Sequence, residues 1–148
     1  MMADMDQKIT SLEPSADLIA GFERDWISAW NAHDIDRILS HYRDDVEFVS
    51  PLAARAGAPQ GKLRGRTALR AYFERGLATY PALHFQPIVA LRGVGSVALH
   101  YRAVEDRQAI EVMELDAAGQ VRRAAVHYTA TPNKIGRSAD AALPGANR

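Results

Sequence analysis

The chain has 148 residues, of which 47% are hydrophobic and 24% are charged, a composition typical of one soluble globular domain. Eighteen basic and eighteen acidic residues give a formal net charge of zero, so no overall field favours nucleic acid or an anionic membrane as a partner. The absence of cysteine excludes disulfides, thiolate catalysis and cysteine-ligated metal sites.

The amino terminus is polar and carries acidic residues where a secretory signal has basic ones. We therefore expect a flexible N-terminal arm over residues 1–14, no leader peptide and a cytoplasmic location. No run of about 18 apolar residues is present, so no membrane span is predicted.

Two helices are predicted before any strand. Ser15 is a suitable N-cap for the first helix, and apolar residues recur at every fourth position from Leu18 to Trp30. Asp34 can cap a second, shorter helix whose apolar side ends at Tyr42. A helix with one apolar side must bury it, so we expect both to cover a sheet formed later in the chain.

One short strand and a third helix follow. Residues 46–50 have the β-branched and aromatic character of a strand, which Pro51 ends. Residues 52–66 contain glycine, proline and four basic residues, and we predict a loop that covers a binding site. Thr67 can then cap a helix that runs to Tyr80 and stops at Pro81.

From residue 83 the hydrophobic period changes to two, which predicts strands over residues 83–92, 96–104, 107–115 and 121–129. Their short connections are typical of hairpins, so the sheet is predicted to be largely antiparallel. Residues 131–148 lack periodicity and are predicted to be a disordered tail. A curved sheet covered by helices on one side would enclose a pocket for a small molecule.

Three stretches of the chain carry a family resemblance: Trp30-Asn-Ala-His-Asp34, the run Tyr-Arg-Asp-Asp-Val-Glu-Phe from Tyr42, and Gly65-Arg-Thr-Ala-Leu-Arg70. They resemble the SnoaL-like branch of the nuclear transport factor 2-like superfamily, to which ketosteroid isomerase belongs. The resemblance implies one cone-shaped, cystatin-like α+β domain over residues 15–130, with three N-terminal helices wrapped around a curved, mostly antiparallel sheet. It also implies a pocket for a small, mostly apolar molecule and frequent homodimers, but fold does not fix function.

The catalytic site of ketosteroid isomerase carries over only in part. The position of its general-base aspartate is occupied here by Ser50, and a hydroxyl of ordinary acidity cannot shuttle a carbon-bound proton. The resemblance places Trp26 and Phe73 where that enzyme has tyrosines, and retains Tyr42. It places Glu111 at the position of a protonated aspartate in the oxyanion hole. Steroid isomerisation by that mechanism is therefore not predicted.

Glu111 is the candidate catalytic residue. Alternation along its strand puts it on one face with Ala109, Met113 and Leu115. If that face lines the cone, desolvation would raise the pKa of the carboxyl and allow proton transfer near neutral pH. The alternative is a solvated glutamate paired with Arg122 or Arg123.

Further side chains are predicted to line the pocket, although aromatic residues at helical spacing are equally typical of core packing. His100 is included although its strand has apolar residues on both faces, so either orientation stays open. The predicted ligand-binding set is Trp26, Trp30, Tyr42, Ser50, Tyr72, Phe73, His100, Met113, Val126 and Tyr128.

The sequence gives little indication of a charged binding site or a metal site. Lys62, Arg64, Arg66 and Arg70 form a basic cluster that is either a solvated surface or a clamp for an anionic substrate. The five histidines lack the spacing of metal ligands, so neither a metal nor a cofactor is predicted.

Three functions stay open. The first is an enzyme that isomerises, dehydrates, cyclises or hydrolyses a small apolar molecule by acid/base chemistry at Glu111. The second is a non-catalytic protein that binds such a molecule in the same pocket. The third is an association module that forms a homodimer through the outer sheet face, which carries Ile110, Val112, Ala125 and His127.

Overall fold

The computed structural model of the chain describes residues 12–130. Nearly all of the arm predicted over residues 1–14, and all of the tail predicted over residues 131–148, lie outside the described residues. No helix in the described range is both long and apolar enough to cross a membrane.

Within residues 12–130 the chain forms four α-helices: α1 (Ala16–Asn31), α2 (Ile35–Leu39), α3 (Pro51–Arg55) and α4 (Arg66–Thr79). The predicted caps of the first two are present. The Ser15 hydroxyl accepts a hydrogen bond from the Leu18 amide, and the Asp34 carboxylate accepts one from the Arg37 amide. The cap predicted at Thr67 is wrong, because α4 begins one residue earlier and is preceded by Gly65.

The loop predicted over residues 52–66 is largely structured. Ser50 caps α3 by accepting a hydrogen bond from the Leu52 amide, and Pro51 occupies the first helical position, where its missing N–H has no partner to lose. A single 3₁₀ turn over Pro59–Gly61 and a short strand, β2 (Lys62–Arg64), complete the segment. The prediction of an irregular loop here was therefore wrong.

The described strands form one six-stranded sheet in the order β2-β1-β6-β5-β4-β3. The other five are β1 (Tyr42–Val49), β3 (Gln86–Gly93), β4 (Ser96–Arg102), β5 (Gln108–Leu115) and β6 (Val121–Tyr128). β1 pairs with β6 in parallel and every other pair is antiparallel, which confirms the prediction of a largely antiparallel sheet. The strand predicted over residues 46–50 begins earlier, at Tyr42, because Tyr42 already pairs with Val121.

The core lies between the inner face of the sheet and the helices. Trp26 of α1 contacts the ring of Tyr101 on β4, and Phe73 of α4 contacts that of Phe48 on β1. On β4 and β5 every second side chain is buried, which is the period of a sheet covered on one face. The predicted α+β cone, with helices against a curved sheet, is confirmed.

The outer face of the sheet carries a group of residues that we call the outer patch. Strand register aligns them in two adjacent cross-strand rows, and the larger apolar members are between 37% and 53% exposed. The rows are Val89, His100, Ile110 and His127, and Leu91, Ala98, Val112 and Ala125.

A candidate ligand pocket around Glu111

Glu111 lies inside the cone. It sits on β5, between β4 and β6, and is only 3% exposed. It shares the inner face with Ala109 and Met113, as the alternation predicted. The alternative of a solvated glutamate is wrong, because Arg122 and Arg123 pair with Glu114 on the opposite face. Glu111 is the one buried carboxylate among the described residues.

The surroundings of Glu111 give its carboxyl an unusual acidity. Burial raises its pKa from 4.5 to about 7, because the apolar interior solvates the charged form poorly. The Tyr101 hydroxyl donates a 2.9 Å hydrogen bond to Oε1, which favours the ionised form and partly opposes that rise. Tyr101 reaches the carboxylate diagonally, since the residue directly opposite Glu111 on β4 is Leu99. The carboxyl is therefore poised to gain or lose a proton at neutral pH.

Four tyrosines lie within electrostatic reach of Glu111. Burial, and then the negative charge of Glu111, raise the pKa of Tyr42 and of Tyr101 well above the usual value. Burial is also the main cause of the raised pKa of Tyr128, and it raises the pKa of Tyr72 to about 12. All four phenols therefore keep their protons at neutral pH and remain hydrogen-bond donors.

The two tryptophans of α1 differ in their hydrogen bonding. The Trp26 indole N–H donates to the Tyr42 hydroxyl at 3.0 Å, and the Trp26 ring stacks on Phe85 at 5.8 Å. The indole N–H of Trp30 is also buried but finds no acceptor in the described part of the chain. A buried donor without an acceptor is costly, so a ligand atom that accepts this bond would be favoured.

A cavity of about 80 Å³ opens beside Glu111. Outside it, between α3 and α4, lies a wider recess of about 280 Å³, which we call the mouth and which also contacts Arg55 and Arg75. The two spaces share four lining residues: Leu52, Tyr72, Gly76 and Tyr80. The segment predicted to cover the site thus contributes Leu52 and Arg55 to the opening.

The structure brings most of the predicted set together. The cavity is lined by the candidate catalytic residue Glu111 and by six members of the predicted ligand-binding set: Trp26, Trp30, Tyr72, Phe73, Val126 and Tyr128. Tyr42, Ser50 and Met113 are buried but do not line it. Ser50 is held at the cap of α3, and hydrogen bonding to it opposes part of the rise that burial causes in the pKa of Tyr72 and of Tyr128.

The placement of His100 in the pocket is wrong. Leu99 and Tyr101 occupy the inner face of β4, so His100 between them points to the outer face, where it hydrogen-bonds Gln108 at 2.8 Å. Its cross-strand neighbour is Ile110, a member of the outer patch.

Several lining residues were absent from the predicted set. Tyr101 could have been found from strand pairing, since it lies two positions from Leu99, the residue opposite Glu111, and therefore on the same face of β4. Phe85 gave no such signal, because it precedes the start of β3 and its stacking on Trp26 depends on the tertiary fold. The other missed lining residues are Phe48, Leu52, Gly76, Tyr80, Leu83, Ala103 and Val104.

The basic cluster does not face this pocket. Arg64 pairs with Glu47, Arg66 with Asp44, and Arg70 with Asp36. These ion pairs support the interpretation of a solvated surface. The described residues also contain no group of three or more His, Asp or Glu side chains able to hold a metal ion.

Comparison with known proteins identifies the family. The model of the SnoaL-like domain matches residues 24–142. The chain belongs to the SnoaL-like family. A SnoaL-like protein of unknown function from Burkholderia thailandensis is 45% identical, with a TM-score of 0.75 over 78% of this chain and 97% of that one. No curated protein matches the chain.

More distant structures share the fold. A protein of unknown function with a cystatin-like fold from Methylobium petroleophilum is 18% identical, with a TM-score of 0.64 over 83% of this chain and 82% of that one. A hypothetical protein with a ketosteroid isomerase-like fold from Catenulispora acidiphila, in complex with trimethylamine, is 14% identical. Its TM-score is 0.63 over 89% of this chain and 97% of that one. At this level of identity the likeness concerns the fold alone.

Proposed function

We propose that this SnoaL-like protein binds a small, mostly apolar molecule in the cavity and that Glu111 transfers a proton to or from it. The observation that carries the proposal is a lone buried carboxyl, with a pKa of about 7, in the wall of an apolar cavity. Structural carboxylates are usually solvated or paired with a cation. Glu111 is buried, and within residues 12–130 its hydrogen-bond partner is the uncharged Tyr101.

The described chain has one buried carboxylate, and this limits the class of reaction that the site can support. Hydrolysis by paired acids needs a second carboxyl group in the same site. A single carboxylate can instead take a proton from one atom of the ligand and return it to another, which is an isomerisation, or assist a dehydration or cyclisation. We therefore favour these reactions over hydrolysis.

Hydrogen-bond donors in the same lining suit such a step. Removal of a proton next to a carbonyl places negative charge on the carbonyl oxygen, and buried donors stabilise that charge. The unpartnered indole N–H of Trp30 and the protonated phenol of Tyr128 both belong to residues of the cavity wall. In this proposal they contact the oxygen while Glu111 handles the proton.

The test measures proton exchange and binding separately. Cyclohexanone and related cyclic ketones are incubated with the protein in deuterium oxide, and loss of the protons next to the carbonyl is followed by NMR. Binding is measured by quenching of tryptophan fluorescence. We expect the wild type to accelerate exchange, and Glu111→Gln to bind within about tenfold (about 1.4 kcal/mol) without accelerating exchange.

Two results would count against the proposal. Equal exchange by the wild type and Glu111→Gln would remove Glu111 from the chemistry. Binding without exchange by the wild type would favour the second function, a non-catalytic carrier of the same class of ligand.

The assembly is a separate proposal. We infer that the outer patch forms a homodimer, because its exposed Val89 and Leu91 on β3 and Ile110 and Val112 on β5 lie on one sheet face, separated only by His100 and Ala98 of β4. Contiguous apolar patches on a sheet face are typical of protein–protein interfaces. Dimerisation through this face would leave the mouth, between α3 and α4, open to ligand.

A further inference from the structure

Two arginines line the mouth of the cavity. Arg55 is the last residue of α3, and Arg75 lies within α4. Arg55 follows Leu52 by three positions, and Arg75 follows Tyr72 by the same spacing. Because residues three apart lie on one side of a helix, each arginine is the neighbour of a residue that lines both the cavity and the mouth.

Neither of these arginines forms an ion pair with a carboxylate of residues 12–130. Within that range Arg75 donates a hydrogen bond to the backbone carbonyl of Ala56 at 3.4 Å. Both side chains are exposed, so their positive charge is open to a ligand in the mouth. The arginines of the basic cluster differ, because each is paired with an acidic residue: Arg64, Arg66 and Arg70.

The mouth is electropositive. Among the described residues that line it, the two with charged side chains are both arginines. The charge of Glu105 does reach Tyr80, since burial and then Glu105 raise the pKa of that phenol, but Arg107 and Arg55 oppose the rise. Glu105 lines neither the cavity nor the mouth. An opening lined by charge of one sign favours a ligand of the opposite sign.

Hydroxyl groups complete the lining of the mouth. Thr79 and Tyr80 both belong to it. The raised pKa of Tyr80 means that its phenol keeps its proton at neutral pH. Both hydroxyls can therefore donate hydrogen bonds to an anionic oxygen, alongside the guanidinium groups.

The size of the cavity sets the shape of a suitable ligand. A protein cavity that holds benzene has a volume of about 150 Å³, and the cavity beside Glu111 has about 80 Å³. A molecule of more than a few carbon atoms must therefore extend from Glu111 into the mouth, which has about 280 Å³. Its far end then lies in the space that Arg55 and Arg75 line.

We propose that the ligand is an amphipathic anion: its apolar body lies beside Glu111, and its carboxylate or phosphate group is bound in the mouth by Arg55 and Arg75. This inference rests on the proposed function and adds the chemical class of the ligand. The two arginines select an anionic ligand and set its direction in the pocket, while Glu111 retains the proton transfer.

The test compares three compounds with the same eight-carbon chain: neutral octanamide and the anions octanoate and octyl phosphate. Binding is measured by isothermal titration calorimetry at pH 6, where Glu111 is largely protonated and does not repel an anion. We expect at least one anion to bind the wild type about tenfold more tightly than octanamide. The anion that binds more tightly identifies the head group as carboxylate or phosphate.

Salt gives a second readout of the same preference. Raising sodium chloride from about 20 mM to about 500 mM should reduce the preference for the anion, because exposed charges are screened. Binding of octanamide should change little. A preference that does not depend on salt would overturn binding by exposed arginines.

Variants of the two arginines locate the anion. Arg55→Gln/Arg75→Gln should abolish the preference and leave octanamide binding within about threefold of the wild type. Each single variant should lose part of it, because exposed ion pairs are individually weak. The matched control is Arg24→Gln/Arg37→Gln, which removes two charges from exposed positions on α1 and α2 that line neither space, and should keep the preference.

Reversal of the charge makes the opposite prediction. Arg55→Glu/Arg75→Glu should bind octylammonium more tightly than octanamide, whereas the wild type should not. Because both side chains are exposed, these variants should fold, and circular dichroism checks that they do.

The outcomes separate the two proposals. If octanamide binds the wild type and neither anion binds more tightly, the anionic class is overturned and the apolar pocket stands. If the preference survives in Arg55→Gln/Arg75→Gln, or is lost equally in Arg24→Gln/Arg37→Gln, the role of the mouth is overturned. If none of the three compounds binds the wild type, the pocket itself, and with it the proposed function, is in error.

Discussion

The hydroxyl of Tyr101 donates a 2.9 Å hydrogen bond to Glu111, linking neighbouring strands inside the cone. This bond joins two groups whose proton affinities are both raised by burial. The phenol cannot lose its proton near neutral pH, so it remains able to donate to the carboxylate form of Glu111. The proton that moves at pH 7 is therefore the one on Glu111.

The first prediction concerns Tyr101→Phe. Loss of the hydrogen bond removes an interaction that favours the ionised carboxylate, so the pKa of Glu111 should rise above about 7. The measurement is a ¹³C NMR titration of the glutamate carboxyl groups. Tyr128→Phe is the control, because Tyr128 lies in the same cavity wall but is not the phenol that donates to Glu111. A pKa that rises equally in both variants would show that the hydrogen bond is not the cause.

The second prediction concerns stability and pH. The folded pKa of Glu111 lies above the unfolded value of 4.5, so the folded state holds the proton more tightly. Its stabilising contribution is complete below pH 4.5 and is lost as the pH rises through about 7. That difference in pKa corresponds to about 3 kcal/mol. Glu111→Gln removes the ionisation and keeps an oxygen that can accept from Tyr101.

Urea unfolding of the wild type and Glu111→Gln at pH 5 and pH 8 measures this effect. We expect the free energy of unfolding of Glu111→Gln, relative to that of the wild type, to increase by about 2 kcal/mol from pH 5 to pH 8. Parallel stability profiles for the two proteins would contradict a strongly raised pKa at Glu111.

The third prediction concerns Gly76, which lies within α4 and lines both the cavity and the mouth. A side chain at this position would meet open space, with no heavy atom within 4 Å of the added Cβ. Gly76→Leu should therefore stabilise the helix by about 0.5 kcal/mol, since glycine is a poor helix former, while filling the passage. Thermal unfolding and cyclohexanone binding check both effects.

Gly76→Ala is the matched control for this prediction. It should give a similar gain in stability and leave binding nearly unchanged, because one methyl group fills little of the mouth. Normal binding by Gly76→Leu would mean that ligands do not enter between α3 and α4.

The fourth prediction concerns the outer patch. Val112→Asp places a charge in the centre of the proposed interface and should convert a dimer to a monomer, as measured by size-exclusion chromatography with light scattering. Leu18→Asp is the control, because Leu18 is similarly exposed but lies on α1. A monomeric wild type, or a dimeric Val112→Asp protein, would remove the outer patch as the interface.

Periodicity predicted most of the helices and strands and the residues that share a strand face with Glu111, but it left open whether that face lines the cone. The predicted stripe of Phe22, Trp26 and Trp30 forms the buried side of α1, although Leu18 at its start is exposed. Alternation along β5 places Glu111 among buried apolar neighbours. Both patterns are local, because the spacing of side chains along a helix or strand fixes which of them share a side. The family resemblance rested on three short motifs. These motifs are local too, because they lie at helix ends and strand starts.

Features that depend on distant residues were not predictable in the same way. His100 lies on a strand with apolar residues on both sides, so its orientation is set by pairing with β5 rather than by its own sequence. Arg66 and Arg70 are neutralised by Asp44 and Asp36, which are far away in the chain. The helix α3 has five residues, too few to be stable alone, and forms because Ser50 and Pro51 start it against the rest of the fold.

The acidity of Glu111 is the property on which the proposed chemistry depends. A ¹³C NMR titration of carboxyl-labelled wild type, with Glu111→Gln to assign the resonance, measures it directly. We predict one glutamate that titrates near pH 7 and is absent from the variant. If every glutamate of the wild type titrates near the ordinary value of about 4.3, Glu111 is an ordinary carboxylate and the proposed proton transfer is contradicted.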